Sequence, residues 1–143
     1  MSPQPLIVER IYQSSIKNVW EALTDKDQMK VWYFDLEEFK PELGFEFQFL
    51  GGGDDQKFLH ICKIVEINPY IKLSYSWRYD GYPGQSVVTF ELFEMDENET
   101  RLKLTHIGLE SFPQNTKNFA VNSFEEGWKF ILGQSLSNYI ETK

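Results

Sequence analysis

Hydrophobic and polar positions along this chain follow two alternating periods, and the points where the period changes mark the elements. Leu6 to Tyr12, with Leu6, Val8 and Ile11 among its apolar members, predicts a first strand. Ser14 and Ser15 then offer helix N-caps, and Ile16, Val19, Trp20 and Leu23 follow at i, i+3, i+4 and i+7, one face of a short helix. Asp25 with Gln28 three residues on predicts a second short helix carrying Met29, Val31, Trp32 and Tyr33. After the turn Pro41-Glu42-Leu43-Gly44, Phe45, Phe47 and Phe49 alternate with Glu46 and Gln48, the period of a strand. Gly51-Gly52-Gly53-Asp54-Asp55 breaks that strand and reads as a flexible hairpin tip.

Further strands are expected from Lys57 to Ile67, around Ile71, Leu73, Tyr75 and Trp77, from Ser86 to Met95, and from Arg101 to Ile107. Asn68-Pro69, Asp80-Gly81-Tyr82-Pro83-Gly84 and Asp96-Glu97-Asn98-Glu99 separate them as turns, and Gly108 to Val121 reads as irregular. The last segment has helical period. Ser123 with Glu126 predicts a capping box, and Phe124, Trp128, Ile131, Leu132, Ser135, Leu136 and Tyr139 form one stripe. Gly127 and Gly133 interrupt it, each at a cost of about 1 kcal/mol against Ala, which predicts close packing at both.

Strands joined by short connections become antiparallel neighbours. A sheet with one apolar face needs a cover, and the C-terminal helix is the element long enough to supply it. The expectation is an α+β fold in which a curved antiparallel sheet of about six or seven strands surrounds that helix, with two short helices after the first strand. Residues 1–143 read as one domain.

Composition adds bulk to this picture. Apolar residues make up 41% of the chain, and 12 Phe, 7 Tyr and 4 Trp supply enough large side chains for a core or for the walls of a pocket. The net charge of -8, with no Lys/Arg cluster, argues against nucleic acid and against an anionic membrane as partners. No run of 18 apolar residues is present, so no membrane-spanning helix is expected. The single cysteine, Cys62, forms no intrachain disulfide, and the first residues lack a basic segment followed by an apolar run; both point to the cytoplasm. Nothing in the sequence separates a monomer from a homodimer.

Several stretches carry a resemblance in fixed order: Val19-Trp20-Glu21-Ala22-Leu23-Thr24-Asp25, Trp32, Ile64-Val65-Glu66-Ile67-Asn68-Pro69, Leu73-Ser74-Tyr75-Ser76-Trp77, Leu104-Thr105-His106-Ile107-Gly108-Leu109 and Gly127-Trp128. From about Val8 to Ile140 the chain resembles the START-like (SRPBCC) superfamily. Within it, the chain looks most like the group named after the C-terminal domain of the activator of the ninety-kilodalton heat-shock-protein ATPase. Many relatives have Pro-Gly-Gly where this chain has Pro41-Glu42-Leu43-Gly44. The resemblance implies the helix-grip fold, with a cavity between sheet and C-terminal helix. Superfamily members include carriers of lipids and hormones and polyketide cyclases, so the fold alone does not choose an activity.

With that cavity implied, Phe47, Phe49, His60, Tyr75, Trp77, Phe90, His106, Phe112, Trp128 and Ser135 are the expected lining, the aromatics as walls and the histidines and serine as orienting groups. A hydrophobic or amphipathic small molecule is the expected ligand, entering between the helix and the loops near Tyr82 and Phe112. One alternative is a chaperone-associated protein-binding module. Another is a cyclase- or dehydratase-like enzyme using His60 and His106, since histidine titrates near neutrality. His60 and Cys62 share a strand face, but with His106 they make no recognised metal spacing, and neither metal nor cofactor is expected.

Overall fold

The computed structural model describes residues 5–34, 36, 38–52, 57–113 and 121–142. Strand β1 (Leu6–Tyr12) is followed by helices α1 (Ile16–Thr24) and α2 (Lys26–Trp32). Strands β2 (Glu46–Gly52), β3 (Lys57–Asn68), β4 (Lys72–Tyr79), β5 (Ser86–Asp96) and β6 (Glu99–Ile107) come next. The last element starts as α3 (Val121–Phe130), passes through a π-helical segment (Ile131–Leu136) and ends as α4 (Ser137–Thr142).

The short helices are set by their caps. The Ser15 side chain accepts from the Asn18 backbone N–H at 3.2 Å. Asp25 serves both helices: its backbone N–H donates to the Glu21 carbonyl, and its carboxylate accepts from the Asp27 N–H at 3.0 Å and from Gln28 Nε2 at 3.1 Å. Both helices bury one face, through Val19, Trp20, Ala22 and Leu23 on α1 and Met29 and Trp32 on α2.

All five strand pairings are antiparallel, in the order β1-β6-β5-β4-β3-β2. The α1–α2 pair therefore carries the chain from one sheet edge to the other. Register shifts between Ile64 and Glu66 and between Glu94 and Asp96 mark bulges, which bend strands. The predicted alternation holds on the inner face, where Phe47, Phe49, Tyr75, Trp77, Val88, Phe90, Leu102 and Leu104 are buried. The Asp96–Glu99 turn is closed by Asn98 N–H to the Asp96 carboxylate at 2.8 Å. Of the glycine-rich tip, Gly51 and Gly52 belong to β2, and residues 53–55 lie outside the described residues.

Five residues four apart, Phe124, Trp128, Leu132, Leu136 and Ile140, are buried along the C-terminal helix. In a regular α-helix, a four-residue step overshoots a full turn by about 40°, so such a stripe winds off one face. The wider i→i+5 turn of Ile131–Leu136 takes back part of that drift and keeps the five side chains on the sheet. The π segment is tied down by the Tyr12 hydroxyl, which donates to the Leu132 carbonyl at 2.7 Å. It is also crossed closely by Arg10: a Cβ at Gly133 would lie 3.1 Å from the Arg10 Nε.

Two expectations are corrected here. Ser123 lies inside α3, two residues after Val121, so Ser123 and Glu126 do not form the helix-starting box. Gly127 is not a close-packing position either: a Cβ there would meet nothing within 4 Å among the described residues, because that side of the helix faces open space. Among the described residues no helix is long and apolar enough to cross a membrane.

Candidate functional site

The open space beside Gly127 is a cavity of about 440 Å³. Strands β3 and β4 supply its floor through Phe58, His60, Trp77 and Tyr79. The end of α2 and the residues after it supply a side wall, Trp32, Tyr33 and Phe34. The C-terminal helix closes it with Phe124, Trp128 and Ile131, and leaves Gly127, Ser123 and Ser135 at the surface of the void. Among the described residues that line it, none is charged. Its size and mostly aromatic walls are those of a small-molecule site.

The walls are held by hydrogen bonds behind the rings. The Trp32 indole N–H donates to the Ala22 carbonyl at 2.8 Å, and the Trp77 indole N–H donates to the Tyr79 hydroxyl at 2.8 Å. The hydroxyls of Tyr33 and Tyr75 meet at 2.8 Å, and burial pushes both pKa values up, so both phenols are neutral at ordinary pH. Phe34 stacks on Phe49 with ring centroids 4.2 Å apart. Gly51 makes room for this, since a Cβ there would lie 2.8 Å from the Phe34 ring.

Trp128 is held by a longer chain. Its indole N–H donates to His106 Nδ1 at 3.1 Å, His106 Nε2 lies 2.7 Å from Ser86 Oγ, and the Ser86 hydroxyl donates to the Trp77 carbonyl at 3.2 Å. Indole N–H only donates, so Nδ1 is an acceptor and the proton sits on Nε2. Ser86 has one proton and spends it on Trp77, so its oxygen accepts from Nε2. Burial pushes His106 down to about 3, which keeps this neutral tautomer in place. The Ser86–His106 pair therefore runs opposite to a nucleophile and its base, in which the histidine takes the serine proton. Both residues lie behind the wall of the cavity and serve to fix Trp128 and Trp77.

His60 borders the cavity itself. Its ring stacks on Phe49 at 4.5 Å and meets Trp77 and Tyr79 edge-on at 5.0 and 4.7 Å. Nδ1 lies 2.9 Å from the Phe58 carbonyl. Burial pushes its pKa down to about 4, against the opposing pull of the Phe58 and Phe49 carbonyls. The ring is thus neutral at pH 7. The Cys62 thiol is buried and pushed up by that burial, so it is not an available thiolate. Among the described residues no three His, Cys, Asp or Glu side chains converge to hold a metal ion.

The family profile described as "Activator of Hsp90 ATPase homolog 1-like protein" matches residues 13–141. The chain belongs to this family. A comparison with curated proteins finds no match. Solved structures of similar fold include the Mll3558 protein of Rhizobium loti, at 22% identity over 95% of this chain and 96% of that one, with a TM-score of 0.80. The Bacillus halodurans protein BH1534 is 25% identical over 98% of this chain and 99% of that one, with a TM-score of 0.74. DynU16, a protein of the dynemicin biosynthetic locus, is 22% identical over 98% of this chain and 48% of that one, with a TM-score of 0.77. These structures share the fold of this family member over nearly its whole length.

Of the lining expected from sequence, His60, Trp77, Trp128 and Ser135 border the cavity of this family member. Phe47, Phe49, Tyr75, Phe90 and His106 are buried beside or beneath those walls, and Phe112 packs on Tyr79 and Phe124 at 5.2 and 6.0 Å. Tyr82 lies against Phe58 at 5.5 Å, and neither it nor Phe112 is among the described residues that line the cavity. Trp32, Tyr33, Phe34, Phe58, Tyr79 and Phe124 were not expected there. The run Trp32-Tyr33-Phe34 held a usable signal, three consecutive aromatics where a helical pattern stops, which one amphipathic helix face does not require. Phe58 and Tyr79 follow from register: Tyr79 pairs with His60, and Phe58 is on the same strand face.

Proposed function

We propose that this protein binds an uncharged hydrophobic or amphipathic small molecule carrying an aromatic ring, in the cavity between sheet and C-terminal helix. The observation that carries this reading is the preformed void of about 440 Å³ beside Gly127, walled mostly by aromatics and, among the described residues, free of charged lining side chains. Apolar burial supplies the driving force, at about 25 cal/mol per Å² before ordering costs. The hydrogen bonds behind Trp32, Trp77 and Trp128 reduce those costs, because the walls are ordered before a ligand arrives. An occupant of this kind is consistent with DynU16, a relative in fold, coming from a biosynthetic locus.

The test is native mass spectrometry of freshly purified protein, followed by a tryptophan-fluorescence titration with a naphthalene-based dye. Saturable quenching is expected in the natural protein and its loss in Gly127→Leu, whose side chain projects into the void. Equal binding by Gly127→Leu would place the dye elsewhere and overturn the reading.

The family's description favours a second reading, a module that docks on a chaperone ATPase. Its net charge of -8 would then complement a basic partner surface. Addition of the purified protein to a chaperone ATPase assay tests it, and an unchanged rate over a wide concentration range removes it.

A further inference from the structure

Resting on the small-molecule reading above, the geometry points to a narrower ligand class: a neutral aromatic molecule bearing a hydrogen-bond donor, of the phenol type, whose O–H is accepted by His60 Nε2. A carbonyl oxygen only accepts, so the contact between His60 Nδ1 and the Phe58 carbonyl at 2.9 Å requires the proton on Nδ1. A neutral imidazole with its proton on Nδ1 has a lone pair on Nε2, and among the described residues no donor is bonded to that nitrogen. The ring does not rotate to offer its other edge, because it is held between the stacked Phe49 and the edges of Trp77 and Tyr79. His60 thus presents its Nε2 acceptor to a cavity whose other described walls are mostly aromatic, with Ser123 and Ser135 on the helix side.

The same arrangement selects against other ligands. A carboxylate brings a charge that no side chain among the described lining residues neutralises, and its oxygens oppose the Nε2 lone pair. An aryl ether fills the same apolar space but has no proton to give. Exclusion works as strongly as attraction here, because a buried acceptor left unpaired costs more than a paired one gains.

Four probes separate these cases: β-naphthol, its methyl ether, naphthalene and β-naphthoate, each titrated by isothermal calorimetry and tryptophan quenching at pH 7.5. β-Naphthol is expected to bind roughly tenfold tighter than the ether, with naphthoate weakest, a ratio typical of one buried hydrogen bond. In His60→Phe, which keeps the ring and removes the acceptor, naphthol and ether should bind alike. Nitrogen-15 NMR of the natural protein checks the assignment without a variant: His60 Nε2 should resonate as an unprotonated ring nitrogen and move upfield when naphthol is added. Equal affinity of naphthol and ether in the natural protein, or a protonated Nε2, overturns the donor inference and leaves small-molecule binding standing. Failure of all four probes at millimolar concentration overturns both.

Discussion

Trp128 donates its indole N–H to Nδ1 of His106, and that one contact joins the cavity wall to the end of strand β6. His106 passes the constraint through Ser86 to the backbone of Trp77, so two of the largest walls are set by one buried polar chain. Trp128→Phe leaves His106 Nδ1 buried without a donor. A loss of about 2–4 kcal/mol is expected, combining an unpaired acceptor with lost volume. Ser86→Ala should cost about 1–3 kcal/mol by orphaning the Nε2 proton. Urea denaturation checks both, and the double variant should fall short of the sum because the two residues share one chain.

Acid should destabilise the protein above the range where carboxylates titrate. His60 and His106 are lowered to about 4 and about 3 by burial, whereas unfolded histidine titrates near 6.5. Below pH 6.5 the unfolded chain therefore takes up two protons that the folded chain refuses. The stability this confers is complete above 6.5 and is lost as pH falls toward the folded values. Each histidine contributes a slope approaching 1.4 kcal/mol per pH unit, so the pair approaches roughly 3. Denaturation at pH 6.5, 6.0 and 5.5 measures the slope, and His60→Phe should halve it.

Gly127 and Gly133 share a helix but should respond differently to alanine. A methyl at Gly127 enters open space, so Gly127→Ala should stabilise by about 1 kcal/mol through helix propensity. A methyl at Gly133 would lie 3.1 Å from the Arg10 Nε, so Arg10 must shift and the gain should shrink or vanish. Thermal melting of the two variants side by side decides it.

Glycine is required more strongly in the loop before β5. Gly84 has φ +106°, and a Cβ there would approach the Ser111 carbonyl oxygen to 2.5 Å, a backbone atom with little freedom to move. Gly84→Ala should cost about 2–3 kcal/mol from the unfavourable backbone angle and the clash together. Gly81 has φ +81° with nothing within 4 Å, so Gly81→Ala isolates the backbone part and should cost about 1 kcal/mol. Similar losses in the two would remove the clash with Ser111 as a cause.

Local chemistry made most of the fold legible. The Asp25 carboxylate caps α2 whatever surrounds it, and Phe45-Glu46-Phe47-Gln48-Phe49 can bury only one face as a strand. The C-terminal stripe was visible for the same reason, since an amphipathic helix shows its period in the sequence. Its start was not, because residues ahead of Ser123 are already helical and the local capping pattern lost to the longer helix.

The cavity itself was decided by tertiary structure. Phe49 and Trp77 look alike in an alternating strand, yet Trp77 borders the void while Phe49 lies beneath Phe34 and His60. Which of them meets open space depends on where the chain after α2 lays Phe34, on the π segment that turns the helix stripe, and on Gly127 facing outward from that stripe. The proton position on His106 depends on Trp128, 22 residues away, which sequence spacing does not bring to it. Caps and periodicity act over a few residues, so the elements are legible in the chain alone. Which aromatic rings fill the interior and which enclose a space depends on volumes that meet across the fold.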